Sequence, residues 1–154
     1  MSEISLRKFT PTDASAFKAL NIEWLETYFV VEAIDELVLS NPQTEILDKG
    51  GFVFMVSIEE QTVGTFAYIK KGEGIYEFSK MAVSPALRGQ GIGNQMMQFA
   101  IRFAEQHHWK KILLYSNTIL ENSIHLYRKY GFQEVALEQN SIYSRGNIKM
   151  ELVF

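Results

Sequence analysis

Residues 75–93 read IYEFSKMAVSPALRGQGIG and join a strand-like segment to a glycine-rich loop. The segment 75–83 is apolar and aromatic enough to predict a strand, which Ser84-Pro85 ends. Behind the loop, apolar residues at helical spacing predict a helix that ends near His107. Alternating glycines let backbone N–H groups approach a ligand, and the first turn of the helix adds unpaired donors. A strand, loop and helix of this kind is typical of a phosphate-binding site.

The segments around this unit predict further strands. The two glycines of Lys71-Gly72-Glu73-Gly74 favour an antiparallel hairpin, and the apolar segment 110–116 makes the helix a crossover to a parallel neighbour. The last two strands are predicted as antiparallel neighbours joined by a loop through Asn140 and Arg145-Gly146. The predicted strands are 4–9, 52–58, 62–70, 75–83, 110–116, 132–137 and 148–154.

Three more helices are predicted from capping residues and apolar spacing. The first starts at Thr12 or Asp13, and the apolar stripe along it is interpreted as part of the core. The second helix covers residues 32–39. The last begins with a capping box at Thr118–Glu121 and ends at Gly131. The core stripe of the first helix comprises Phe17, Leu20, Trp24 and Tyr28. The sequence therefore predicts an α+β fold, in which helices flank a mixed, mostly antiparallel sheet of about six or seven strands.

The composition restricts the class of protein. The chain has 154 residues, 47% of them hydrophobic and 21% charged, which predicts one globular domain over residues 1–154. It has no cysteine, so disulfides and thiolate chemistry are excluded. We expect neither a membrane nor a nucleic acid as partner, because no long apolar run is present and the pI is about 5.6. A cytoplasmic location is the expectation.

The charge is unevenly distributed. Residues 1–60 hold 11 acids and 4 bases, whereas residues 61–154 hold 7 acids and 11 bases. Between Ala19 and Asp48 there are seven acids and neither Lys nor Arg, a pattern that favours a bound cation or simply a solvated surface. Trp24, Tyr28 and Phe29 lie in this region and would suit the wall of a site for a cationic molecule.

Several other chemistries lack their motifs. The loop 88–93 is not a P-loop, and a dinucleotide fingerprint would need glycine or alanine at Asn94. The three histidines do not have metal-binding spacing, so no metal site is predicted. A serine hydrolase is disfavoured because the sequence has no G-x-S-x-G elbow.

Two motifs in their proper order resemble the GNAT superfamily of acyl-CoA-dependent N-acetyltransferases. The segment RGQGIG at 88–93 meets the pyrophosphate signature Q/R-x-x-G-x-G/A after a strand. The segment NTILENSIHLYRKYGF at 117–132 is similar to the family's later helix, which closes with a tyrosine, a short gap and Gly-Phe. The resemblance is specific from about Phe52 to Phe154 and implies that the central parallel strands splay at the cofactor site.

The resemblance also implies which residues bind acetyl-CoA, the acetyl donor. Backbone amides of the loop would hold the pyrophosphate, and the strand backbone at 81–83 would pair with the pantetheine arm. Side chains of Asn117 and Asn122 are candidate contacts, with a helix cap or an exposed surface position as the alternative for each. The cofactor-binding residues implied are Met81, Ala82, Val83, Arg88, Gly89, Gln90, Gly91, Ile92, Gly93, Asn117, Asn122 and Tyr127.

The resemblance to this family also implies three candidate catalytic residues. The Met81 N–H would donate to the thioester oxygen. Glu77 would take a proton from the amine, with a water chain as the alternative base. Its structural alternative is an ion pair with Lys80 or another strand neighbour. Tyr127 would protonate the departing thiolate, with a core position as its alternative. Trp24, Tyr28, Phe29 and Glu77 would bind the acceptor, close to the loop near Tyr143 and Arg145.

The resulting hypothesis is direct acetyl transfer to a primary amine of a small molecule or peptide. The alternative is a non-catalytic module that binds or senses acyl-CoA. The family often forms homodimers, and the apolar segment 150–154 suits either a dimer contact or ordinary core burial.

Overall fold

The computed structural model describes residues 3–138 and 145–154. Asn140 of the predicted loop between the last two strands and Tyr143, which was predicted near the acceptor, lie outside these described residues. The strands are β1 (Ser5–Lys8), β2 (Phe52–Ile58), β3 (Gln61–Gly72), β4 (Ile75–Val83), β5 (Lys111–Ser116), β6 (Gln133–Val135) and β7 (Ile148–Val153). The helices are α1 (Ala14–Tyr28), α2 (Ala33–Ser40), α3 (Ile92–Gln106) and α4 (Glu121–Lys129). Short 3-10 turns lie at Pro11–Asp13 and Pro85–Leu87, and a π turn lies at Gln43–Leu47.

The described strands form one seven-stranded sheet in the order β1-β2-β3-β4-β5-β7-β6. The β4–β5 pair is parallel, and the other neighbours are antiparallel. This arrangement confirms the α+β fold with a mixed, mostly antiparallel sheet and a central parallel pair.

Two apolar layers cover the two faces of the sheet. Because side chains alternate along a strand, Phe54 and Phe66 pack with the α3 residue Phe103, whereas Val53 and Met55 belong to the layer of α1 and α2. The four apolar residues predicted for the buried face of α3, Ile92, Met96, Ala100 and Phe103, are buried. The sheet is therefore held in place from both sides.

The structure corrects three local predictions. The buried face of α1 comprises Phe17, Asn21 and Leu25, so Trp24 and Tyr28 lie beside the core stripe and not within it. The spacing of apolar residues did not indicate this face because it includes a polar residue, Asn21. The Asn21 side-chain amide donates to the carbonyl of Phe17 (3.0 Å). The last strands are also shorter, because β6 contains three residues and not the six of 132–137.

The predicted capping box at Thr118–Glu121 is wrong. Helix α4 begins at Glu121 without a side-chain cap, because the preceding residues are used in a turn. The Asn117 Oδ1 accepts a hydrogen bond from the Ile119 N–H (3.0 Å), and the Asn147 Oδ1 accepts one from the Thr118 N–H (2.9 Å). Thr118 is thereby bonded to the start of β7, while Gly131, at φ +96°, ends the helix as predicted.

Candidate active site

The parallel strands β4 and β5 separate to open a cavity of about 500 Å³. Their pairing runs from Ile75 opposite Lys111 to Glu77 opposite Leu113, after which β4 continues to Val83 and β5 to Ser116. Residues from both strands, from the glycine loop and from α1 and α4 line the cavity. The splay places backbone groups of β4 along the cavity wall.

A β-bulge in β4 changes the direction of the side chains at this point. Between the pairs Ala67↔Ser79 and Thr65↔Ala82, β4 has one more residue than β3. Lys80 adopts a left-handed backbone conformation there, with φ +54°. In a regular strand, Glu77 and Lys80 would point to opposite faces, but here both line the same cavity, as does Met81.

The glycine loop lies at the opposite end of the cavity wall. Gly89 and Gly91 have φ of +79° and +81°, and a Cβ built on either one meets nothing within 4 Å. Gly91 precedes the first turn of α3, whose N–H groups have no acceptor within the helix. The loop is therefore an open cradle of amide donors next to the positive end of a 15-residue helix, as an anionic diphosphate requires.

Most of the predicted loop residues line the cavity, and one does not. Arg88, Gly89, Gly91, Ile92 and Gly93 are all lining residues. Gln90 is exposed outside this set, and its side-chain amide donates to the carbonyl of Ala86 (3.2 Å).

The Arg88 side chain connects the loop to α1. Its guanidinium forms an ion pair with Glu23, lies over the Tyr28 ring at 5.6 Å and donates through Nε to the carbonyl of Val83 (3.1 Å). Burial would raise the pKa of Glu23, but the hydrogen bonds from Arg88 and Thr27 and the charge of Arg88 together outweigh burial and lower it. Nothing in the local sequence indicates this pair, because its members are 65 residues apart.

Glu77 is a buried carboxyl with 2% of its surface exposed. Burial raises its pKa, while the neighbouring cations Lys71 and Lys80 oppose that change. The Lys71 Nζ is 3.7 Å from Glu77 Oε1. Glu77 is therefore both a cavity residue and a member of an ion pair.

Lys80 is a site residue that sequence reasoning did not select. Its side chain is 6% exposed, and its Nζ lies 3.9 Å from Asp35 Oδ1. Burial lowers its pKa to about 8, although Asp35 and Glu77 act in the opposite direction. The available signal was a lysine within an otherwise apolar strand end, but only the bulge brings it to the same cavity as Glu77.

Asp35 and Arg145 form the second feature that the sequence did not indicate. The Arg145 guanidinium donates to both oxygens of Asp35 at 2.8 Å and to Glu32 Oε2 at 2.9 Å. Burial would raise the pKa of Asp35, but hydrogen bonds from Arg145 and from the Glu32 N–H hold it below the usual value. This pair attaches Arg145, which precedes β7, to the first turn of α2 at the edge of the cavity.

Tyr127 lines the cavity from α4 and also belongs to the core. It is 8% exposed and packs against Phe132, with ring centroids 5.9 Å apart. Burial raises its pKa to about 12, against a weaker opposite effect from its hydrogen bond with Ser123. The phenol is consequently protonated at neutral pH and can donate a proton.

The two asparagines differ in their surroundings. Both line the cavity. The side chain of Asn117 is hydrogen-bonded within the protein through both of its polar atoms. Its Nδ2 donates to the Arg145 carbonyl (2.6 Å), and its Oδ1 accepts the Ile119 N–H. Asn122 is exposed in the first turn of α4. The structure thus favours a turn-stabilising role for Asn117.

Trp24, Tyr28 and Phe29 form an aromatic wall at the end of α1, next to β4. The ring centroid of Trp24 is 5.3 Å from that of Tyr28 and 5.7 Å from that of Phe29. All three line the cavity, and Tyr28 is 42% exposed. The structure therefore brings the predicted acceptor residues together with Glu77.

Two negative findings apply to the described residues. There is no group of three or more His, Asp or Glu side chains among them that is placed to hold a metal ion. None of the helices in residues 3–138 and 145–154 combines the length and the apolar character that crossing a membrane requires.

The fold and the sequence were compared with known proteins. A GNAT-family acetyltransferase from Staphylococcus aureus Mu50 superimposes with a TM-score of 0.84 at 16% identity, over 97% of this chain and 98% of that one. An acetyltransferase from Streptococcus agalactiae gives 0.82 at 14% identity, over 98% of each chain. A spermidine N-acetyltransferase from Vibrio cholerae in complex with CoA and spermine gives 0.75 at 21% identity, over 97% and 95%.

Structural similarity at such low identity establishes the fold alone, so the family rests on the sequence. No curated protein sequence matches significantly. The family model for the acetyltransferase (GNAT) domain matches residues 49–134, which is more than half of the chain and includes β4, the glycine loop and Tyr127. The chain belongs to the GNAT family of acetyltransferases.

Proposed function

We propose that this protein transfers an acetyl group from acetyl-CoA directly to a primary amine. One observation carries the proposal: a single cavity is lined by the glycine cradle, by the separated end of β4, and by Glu77 and Tyr127. Acetyl-CoA, when bound, supplies an activated thioester. Every other requirement is met by residues of this chain.

The loop and β4 bind and orient the donor. Amides from Arg88 to Gly93 hold the diphosphate, and the open space at Gly89 and Gly91 admits it. The β4 backbone at 81–83 pairs with the pantetheine arm where β5 has separated from β4. The Met81 N–H donates to the thioester oxygen, and such a donor commonly contributes about 3 kcal/mol to catalysis.

Glu77 and Tyr127 move the protons. An alkylamine of pKa about 10 is protonated at pH 7, so a base must take its proton before it can react. Glu77 takes that proton on its buried carboxylate, whose raised pKa makes it a stronger base. Tyr127 keeps its own proton until the departing sulfur becomes negative and then donates it.

The acceptor lies between Glu77 and the aromatic wall of Trp24, Tyr28 and Phe29. Spermidine N-acetyltransferase from Vibrio cholerae has the same fold and is seen with CoA and spermine, which supports an amine as the class of acceptor. The carboxyl of Glu77 provides the negative charge that binds an ammonium, and the aromatic wall provides contact area for the rest of the acceptor.

The test is release of CoA thiol from acetyl-CoA in the presence of a panel of primary amines. Tyr127→Phe should lower kcat about 100-fold if Tyr127 is the acid. Tyr76→Phe is its control, because Tyr76 stacks on Trp109 in the core (3.7 Å between centroids). Glu77→Gln should remove the rise of kcat/KM with pH that ionisation of Glu77 causes, whereas Glu45→Gln, in a surface pair with Lys49, should retain it.

Two outcomes would contradict these assignments. Turnover at the wild-type rate in both site variants would remove the roles of Tyr127 and Glu77. Binding of acetyl-CoA without turnover of any amine would favour the sensing module instead.

A further inference from the structure

The two carboxylates among the described residues that line the cavity already have counterions. Asp35 is bonded to Arg145 at 2.8 Å and lies 3.9 Å from the Lys80 ammonium. Glu77 lies 3.7 Å from Lys71. These negative charges are therefore largely balanced before any substrate enters.

Two other acids near the aromatic wall are balanced in the same way. Glu23 is paired with Arg88, and Glu32 is paired with Arg145. Of the acidic segment that favoured a cation in the sequence, Glu23, Glu32 and Asp35 are thus paired with bases from distant parts of the chain. The cavity lining thus contains three basic residues, Lys80, Arg88 and Arg145, and two carboxylates, those of Asp35 and Glu77.

A second ammonium would enter this cavity against unfavourable charge. Lys80 is 6% exposed, so little water screens its charge. Its pKa of about 8 keeps it largely protonated at pH 7. Arg145, with 19% of its side chain exposed, adds a permanent positive charge on the same side as Asp35.

The remaining surface at this end is apolar. The ring centroids of Tyr28 and Phe29 each lie within 6 Å of the Trp24 ring centroid. The buried Leu25 is a further apolar residue of the cavity lining. Arg88 already lies over the Tyr28 ring at 5.6 Å. The wall thus provides contact area for an apolar body and has limited room for another cation.

On the basis of the proposed function, we propose that the acceptor is an apolar monoamine, with one ammonium directed to Glu77 and an aromatic or alkyl body on the aromatic wall. Polyamines are poor acceptors for this chain. This preference is opposite to the one suggested by spermine in the complex of the Vibrio cholerae enzyme.

The test compares amines that differ in one charge. Hexylamine and 1,5-diaminopentane have nearly the same length, but a methyl group in the first replaces the second ammonium. We expect kcat/KM to be at least about tenfold higher for hexylamine, since an unpaired like charge costs more than the ~1.4 kcal/mol that corresponds to a factor of ten. We expect 2-phenylethylamine to exceed both, and spermidine to be among the poorest acceptors.

Two variants connect the preference to the residues. Lys80→Met should reduce the ratio of hexylamine to 1,5-diaminopentane, whereas Lys18→Met, which removes an exposed partner of Glu36, should leave the ratio unchanged. Trp24→Ala should lower kcat/KM for 2-phenylethylamine more than for 1,5-diaminopentane. The same ranking should appear in thermal shifts of the CoA-loaded protein, which has no acetyl group to transfer and therefore does not turn over.

The outcomes separate the two proposals. Equal or better use of 1,5-diaminopentane and spermidine would overturn the monoamine preference and leave acetyl transfer to amines intact. Failure of every amine with acetyl-CoA bound would overturn the proposed function and this inference together.

Discussion

Gly91→Val tests whether the loop amides bind the cofactor. Gly91 has φ +81° and lines the cavity, and a Cβ there meets no protein atom within 4 Å. In the free protein, the substitution therefore costs mainly the strain of a left-handed conformation, about 1 to 2 kcal/mol. In the presence of acetyl-CoA, the added side chain would occupy space that the diphosphate needs.

The expected size follows from the length of the chain. At one hundred times its Kd, a ligand adds about 2.7 kcal/mol to the free energy of unfolding. For 154 residues the unfolding entropy is about 0.32 kcal/mol/K, so acetyl-CoA should raise the wild-type Tm by about 8 °C. Strain alone should lower the Tm of the variant by about 3 to 6 °C in the absence of ligand.

The assay is thermal unfolding with and without acetyl-CoA, with Gly50→Val as the matched control. Gly50 has φ +91° and lies outside the cavity lining, and its added Cβ would meet only the flexible side chain of Lys70. Both variants should be destabilised, but only Gly91→Val should lose the 8 °C response to acetyl-CoA. A full response in Gly91→Val would refute the assignment of the cradle.

Two further predictions concern stability. Asp35→Asn should lower the free energy of unfolding by about 3 kcal/mol, measured by urea denaturation, because it removes the carboxylate that binds both arms of the partly buried Arg145 guanidinium and leaves it only the single contact with Glu32; a change below 1 kcal/mol would contradict that role. The pKa of Asp13 is held at about 2 by hydrogen bonds from Arg7, so its contribution is present above the unfolded pKa near 4 and is lost as the pH falls through 2. Asp13→Asn should therefore cost about 1 to 2 kcal/mol at pH 7, since exposure of Arg7 screens the pair, and the difference from wild type should shrink towards pH 2; an unchanged difference at low pH would argue against it.

The strands and the cofactor loop were largely predictable because local patterns determine them. The bounds of β2 and β4 agree with the predicted segments 52–58 and 75–83, and Gly131 ends α4 as expected. Alternation of side chains, turn glycines and the crossover rule act over a few residues or over one helix, so they are visible in a single sequence. The family motifs then added the roles of the loop and of Tyr127.

The ion pairs at the aromatic wall were not predictable, because their members lie far apart in the sequence. Arg145 binds Asp35 across 110 residues, and Arg88 binds Glu23 across 65. The sequence therefore indicated an acidic region, whereas the fold supplies its counterions. Lys80 was considered only as an ion-pair partner of Glu77 and not as a site residue beside Asp35, because the left-handed bulge at this position has no glycine to mark it.

The same contacts join the two halves of the site. Through its backbone, Arg88 belongs to the cradle, and through its guanidinium it holds Glu23 and covers the Tyr28 ring of the aromatic wall. Its Nε also donates to Val83, the last residue of β4. The position of α1 relative to β4 thus depends on the residue that begins the glycine loop. Because one side chain contacts both α1 and β4 and belongs to the glycine loop, the spacing between the loop and the aromatic wall is set by a direct contact.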